Sequence, residues 1–299
     1  SFRNMSAVAL SGFTFSRVVI IQSLRDNELL TGESLAEWLP HILHEQQPSI
    51  PVELINCVSG ENFLRIIDQL CIEASDGLVP LLHVECHGDR QSGLEFADYS
   101  DLSWEELSNA MVHLNLASRF NLMAVFSACY GWYFASEMNV INRSPCWCLV
   151  APTSTIYPDE ILGGLREFYR VFFTTRDISS AFETLASRKL EKGMWLNPIA
   201  EEWFEKLLIR YVENCCSRAA GDIRISGYYR HLKSQGRRAS KGALKRAFTQ
   251  LQQRILLNKY FDHYFMADLI PENKDRYKGL HARMRKRLAD LRATKKYYI

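Results

Sequence analysis

The chain has no long apolar run. Nothing in it approaches the roughly 20 residues that a membrane-spanning helix needs, so no membrane partner is expected. Its first residues, Ser1-Phe2-Arg3-Asn4-Met5, lack the basic segment and apolar core of a secretory signal. No internal repeat and no low-complexity tract is visible. Zinc-ligand spacing is absent too. The cysteines at 57, 71, 86, 129, 146, 148, 215 and 216 are scattered, and neither Cys146-Trp147-Cys148 nor Cys215-Cys216 has a second Cys/His pair to complete a site. No metal and no cofactor is therefore expected. Isolated cysteines inside apolar segments suit reduced thiols in a cytoplasm better than a disulfide framework.

What is present is the composition of a globular protein, 47% hydrophobic and 23% charged over 299 residues. The charge is unevenly placed. Residues 221–299 hold 20 Lys+Arg against 6 Asp+Glu, and residues 1–220 hold the remaining 16 against 28. That asymmetry points to two functional regions.

The first half alternates strand-like and helix-like segments. Val18–Ile21, Val52–Val58, Leu81–Cys86, Leu122–Ala128 and Cys146–Ala151 are short apolar runs that read as buried strands. Between them lie helical patterns: Glu33–Leu43 with Ser34 as its cap, a segment after Ser59-Gly60, one opened by Asp101 or Ser103, one over Trp132–Met138, and a long one from Pro158 with a weak point at Gly163-Gly164. Gly93–Phe96 reads as an extra strand or hairpin arm. This alternation predicts an α/β fold, a mostly parallel sheet covered by helices. After about residue 190 the strand pattern stops. Helices are expected from Asn197-Pro198, from Ser240 and from about Asp275 to Arg292, with residues 217–240 as a loop or linker. The domains are therefore set at 1–190 and 191–299, the latter helical and strongly basic from 221.

In an open parallel sheet, sites form at the carboxyl ends of strands. Two reactive side chains fall there, 42 residues apart: His87, in His83-Val84-Glu85-Cys86-His87-Gly88-Asp89, and Cys129, in Phe126-Ser127-Ala128-Cys129-Tyr130-Gly131. A cysteine nucleophile needs a partner that favours its thiolate, and imidazole does this and then returns a proton to a leaving amine. Cys86 should point away from His87, and His83, on the same face but deeper, reads as a core histidine.

His87-Gly88 and Ser127-Ala128-Cys129-Tyr130-Gly131 resemble the catalytic motifs of the caspase-like cysteine peptidases, and the CHAT branch most of all. Leu102-Ser103-Trp104-Glu105-Glu106-Leu107 between them resembles that family, as do Pro158-Asp159-Glu160, Leu165-Arg166-Glu167-Phe168-Tyr169 and Ser180-Ala181-Phe182 after them. The likeness covers roughly residues 79–188. It implies a caspase-like sheet and a thiol protease in which His87 is general base and acid, Cys129 is nucleophile, and the amides of Gly88 and Cys129 form the oxyanion hole. The substrate would be a protein. Asp159 and Ser127 would contact it, Asp159 by receiving a basic side chain, although the first turn of a helix is equally good use of that carboxylate. Ser127 stands where metacaspases carry aspartate and caspases glutamine, so specificity does not transfer from either. Stand-alone prokaryotic relatives act in antiviral defence or cell death, which implies a partner such as a pore-forming, gasdermin-like protein.

Two other readings compete: a non-catalytic interaction module, and a nucleic-acid-responsive regulator acting through the basic region. In that region Tyr228, Tyr229, Phe248, Tyr260, Tyr277, Tyr297 and Tyr298 are interspersed with Arg and Lys, a combination that suits phosphates and stacked bases but also suits a helical core.

Overall fold

The structure is a computed structural model describing residues 8–10, 12–46 and 50–299. Residues 1–7, including the start examined for a signal, lie outside the described set. The chain divides into two compact units, one formed by the residues up to Met138 with Ser144–Ile199, the other by Asn139–Arg143 with Ala200–Ile299.

The first unit runs β1 (Val8–Leu10), β2 (Phe13–Phe15), β3 (Arg17–Ser23), α1 (Thr31–Gln46), β4 (Val52–Asn56), α2 (Gly60–Ser75), β5 (Pro80–Asp89), β6 (Gly93–Glu95), β7 (Asp101–Leu102), α3 (Trp104–Ala117) and β8 (Met123–Ser127). A 3-10 turn (Gly131–Glu137), β9 (Cys148–Pro152), α4 (Pro158–Thr175), α5 (Ile178–Ser187) and β10 (Trp195–Leu196) follow. The main sheet has the order β10-β9-β8-β5-β3-β4, parallel except for β10. Strands β3, β8 and β9 are wholly buried and β5 is buried from Pro80 to Cys86, as strands of a two-sided parallel sheet should be. Helices flank the sheet. α1 packs with α4, and α2 with α3.

Caps decide where several helices begin. The Ser59 side chain accepts from the Asn62 amide to start α2. Ser103 and Glu106 form a reciprocal capping box at α3. Two boundaries differ from expectation. α1 starts at Thr31, so Ser34 is not its cap; the Ser34 carbonyl instead accepts from Arg166 at 3.2 Å. α4 runs unbroken through Gly163-Gly164, because Gly164 is buried beside Arg188 and Trp195. A third difference concerns the end of the sheet. Strand structure continues beyond 190, since Trp195–Leu196 pairs antiparallel with Ala151–Pro152.

The second unit is helical: α6 (Ala200–Cys215), α7 (Arg218–Ser234), α8 (Lys241–Arg254), a π-helical turn (Ile255–Lys259), α9 (Tyr260–Tyr264), α10 (Glu272–Arg276) and α11 (Lys278–Ala293). The expected linker over 217–240 is mostly α7, capped by Ser217. Phe204, Phe261, Tyr264 and Phe265 form its aromatic core, with the Tyr277 ring tilted against Phe265 at 4.3 Å between centroids. All eight cysteines are free. Among the described residues no helix is long and apolar enough to cross a membrane.

Candidate active site

The register of the sheet brings the two sequence-predicted residues toward the carboxyl ends of two neighbouring strands, β5 and β8. β5 and β8 pair in parallel from Leu81↔Met123 to Glu85↔Ser127, a constant offset of 42 residues. The ladder ends two residues short of His87 and Cys129, and beyond it the backbone at Gly88 stays close to that of Cys129. A β-carbon placed on Gly88 would stand 2.2 Å from the Cys129 carbonyl oxygen, so only glycine permits this approach. Beyond the parallel ladder β5 continues into a hairpin, with His87 opposite Glu95 and Gly88 opposite Leu94.

Cys129 leaves the sheet in a tight turn. Tyr130 adopts the left-handed conformation (φ 58°) and donates its amide to the Ser154 carbonyl at 3.0 Å, while the Gly131 amide returns to Ala128 at 3.0 Å. The Cys129 amide donates to no main-chain carbonyl among the described residues, which suits a group meant for an oxyanion. The Cys129 thiol faces the Ile156 carbonyl at 3.8 Å and is partly exposed. The His87 side chain is 42% exposed, within reach of a substrate.

The strongest polar contact of His87 involves a residue that sequence reasoning missed. Its Nε2 lies 2.8 Å from Oε1 of Glu28, in the loop between β3 and α1. Glu28 is itself held: the Arg25 amide donates to its Oε2 at 2.8 Å, and the Arg25 guanidinium reaches Oε1 at 3.4 Å and Glu95 at 2.5 Å while lying 3.9 Å over the Tyr99 ring. Partial burial alone would raise the Glu28 carboxyl. The Arg25 amide and His87 outweigh it and hold the carboxyl below its ordinary value. Glu28 thus engages Nε2 and leaves Nδ1 as the other ring nitrogen of His87. No motif in the sequence signals it, because an acidic residue in a polar loop is unremarkable.

Beneath the site lies a buried polar chain. His83 Nδ1 is 2.8 Å from the Tyr169 hydroxyl and its Nε2 2.7 Å from Glu85; Glu85 also accepts from the Thr31 hydroxyl at 2.7 Å. His83 is therefore a satisfied core histidine. Cys86 is buried, and burial pushes its thiol well above the ordinary value. The remaining sequence-predicted residues are placed differently. Ser127 is buried opposite Glu85, its hydroxyl without a partner among the described residues. Asp159 is exposed in the first turn of α4, three residues after the Ile156 carbonyl that faces Cys129.

Among the described residues no cluster of His, Cys, Asp and Glu could hold a metal. No family model matches the chain, and no curated protein is significantly similar to it.

Proposed function

We propose that the chain is a cysteine endopeptidase of the caspase-like type, acting through Cys129 and His87 with Glu28 orienting the imidazole. The observation that carries this reading is the convergence, past the carboxyl ends of the paired β5 and β8 segments, of a histidine already hydrogen-bonded to a carboxylate and a partly exposed cysteine. The strand order supports it. In order of appearance the main strands lie 2-1-3-4-5-6 with the last antiparallel; His87 lies in the third, beyond its parallel ladder, and Cys129 follows the fourth, close to what the family resemblance implies.

In this mechanism the Cys129 thiolate adds to the carbonyl carbon of the scissile peptide. The negative charge that develops on the carbonyl oxygen is taken by the Gly88 and Cys129 amides. Collapse of that intermediate breaks the C–N bond, and the His87 imidazolium gives its proton to the departing nitrogen. A water deprotonated by His87 then hydrolyses the thioester and restores the thiol. Glu28 stabilises the imidazolium at each charged stage. Substrate contacts are assigned to Asp159, which offers an exposed carboxylate to a basic side chain, and to Ser127 beneath the nucleophile. The substrate is a partner protein, of which a pore-forming, gasdermin-like protein in a prokaryotic defence or cell-death pathway is the leading choice.

A peptide carrying an acyloxymethyl ketone after arginine tests the reading directly. Covalent labelling of Cys129 that disappears in both Cys129→Ala and His87→Ala is expected. Equal labelling of the His87→Ala variant, or capture at another cysteine, overturns it.

A further inference from the structure

The second unit contains a stretch unlike any other in the chain. Between Asp222 and Asp262 there are ten Lys and Arg residues and no Asp or Glu. Folding gives this stretch a defined shape. α7 and α8 pack on each other as a helical hairpin, and the turn between them is closed by Gly236 (φ 72°), whose amide donates to Lys233 while that of Arg237 donates to Leu232, both at 3.0 Å. Ser240 caps the returning helix through the Ala243 amide at 3.1 Å. The base of the hairpin is pinned by Asp222, which takes Lys245 at 2.7 Å and the Tyr298 hydroxyl at 2.8 Å.

The Asp222–Lys245 contact is the one ion pair these ten cations make among the described residues. Arg230, Lys233, Arg237, Arg238 and Lys241 lie in or near the turn and Arg246 beside Lys245 on α8, all exposed. Lys233 and Lys241 both lie over the ring of Tyr229, at 5.4 and 5.6 Å, which fixes two of the charges on opposite arms of the hairpin. Beside them Tyr228 is 54% exposed, its ring centroid 6.5 Å from that of His231. These six cations make no ion pair among the described residues, and gathered on one hairpin they repel one another. A phosphate backbone, with its regular negative charge, is the complementary surface.

We propose that the α7–α8 hairpin is a nucleic-acid-binding element that grips the phosphate backbone through its tip, with Tyr228 available to stack on an unpaired base. This rests on the second unit alone and holds whether or not the first unit cleaves proteins.

The test measures fluorescence anisotropy of labelled RNA, DNA and duplex DNA of roughly 30 nucleotides, titrated with the full chain over a series of salt concentrations. The wild-type chain is expected to bind at least one of them with a steep salt dependence. The variant Arg230→Ala/Arg237→Ala/Arg238→Ala/Lys241→Ala should lose at least about tenfold in affinity, and its log–log salt slope should flatten by about 0.9 for each phosphate contact removed. Arg283→Ala/Arg285→Ala/Lys286→Ala, on α11, should change the slope less. Circular dichroism verifies that the variants fold, and Arg237→Glu/Arg238→Glu, confined to the turn, gives a second route should the fourfold variant not fold. Three outcomes overturn the proposal: no binding to any probe at low salt, an unchanged slope in the tip variants, or binding to anionic phospholipid vesicles with none to nucleic acid.

Discussion

Gly88 and the carbonyl oxygen of Cys129 are in direct contact, close enough that a β-carbon on Gly88 would lie 2.2 Å from that oxygen. The obstructing atom belongs to the backbone and cannot rotate away. Gly88→Ala is therefore expected to separate the strand end carrying His87 from the turn carrying Cys129. Overpacking of this kind costs about 1–3 kcal/mol. Denaturant unfolding should show that loss, and Cys129 labelling by an electrophilic peptide should fall further than the stability change alone explains. An alanine variant of full stability and labelling rate would show the contact to be dispensable.

Glu28→Gln should slow Cys129 labelling. A hydrogen bond to a charged group contributes about 1.5–3 kcal/mol, and the 42% exposure of His87 places the effect toward the lower end. A fall of roughly tenfold is expected, since about 1.4 kcal/mol is one decade in rate. Glu28→Asp, keeping the charge on a shorter stem, should retain more activity than Glu28→Gln. Because folding holds the Glu28 carboxyl below its ordinary value of 4.5, the wild-type chain carries a stabilising increment that is complete above that pH and disappears as pH falls through the lower folded value. The stability difference between wild type and Glu28→Gln should accordingly shrink below about pH 4.5; a difference constant from pH 7 to pH 3 would remove Glu28 from the site.

Cysteine reactivity offers a map of the fold. Burial lifts the thiols of Cys57 and Cys71 to about 11 and that of Cys216 to about 12, and raises those of Cys86 and Cys146 as well. Iodoacetamide at neutral pH, followed by peptide mass spectrometry, should modify Cys129 well before Cys86 or Cys146. Early modification of Cys86 in the folded chain would contradict its burial.

The chain Tyr169–His83–Glu85–Thr31 predicts an order of stability losses. Tyr169→Phe leaves one ring nitrogen of His83 unpaired and should cost about 1–3 kcal/mol. Glu85→Ala strips both His83 and Thr31 of their acceptor and opens a cavity, so it should cost more, about 3–5 kcal/mol. Urea midpoints compared at matched m-values give the ranking.

The parallel strands were legible because Val18–Ile21, Leu81–Cys86 and Leu122–Ala128 are apolar without alternation, the mark of strands buried on both faces. His87 and Cys129 were legible because both end such runs. Glu28 was not, since its role exists only once the β3–α1 loop folds over β5, bridging 59 residues of sequence. β10 escaped notice at two residues long, its pairing with β9 being a tertiary choice. α7 was misread as linker because its three buried positions, Gly221, Ile225 and Leu232, are too sparse for a periodic signal. At Gly221 the missing side chain makes room for the Tyr298 ring, whose nearest atom would lie 2.4 Å from a β-carbon. Glycine there fits the helix to its neighbour.

The constant offset between β5 and β8 has a consequence for how this chain can change over time. His87 and Cys129 are aligned by hydrogen-bonded registry along the ladder, and the 42-residue interval merely records how much chain the β6–β7 arm and α3 use on the way. Length changes in the loops of that excursion leave the β5–β8 register intact, whereas a single residue added inside Met123–Ser127 would turn the thiol to the opposite side of the sheet. Sequences descended from this one should vary in the length of the excursion and not in the length of the strand.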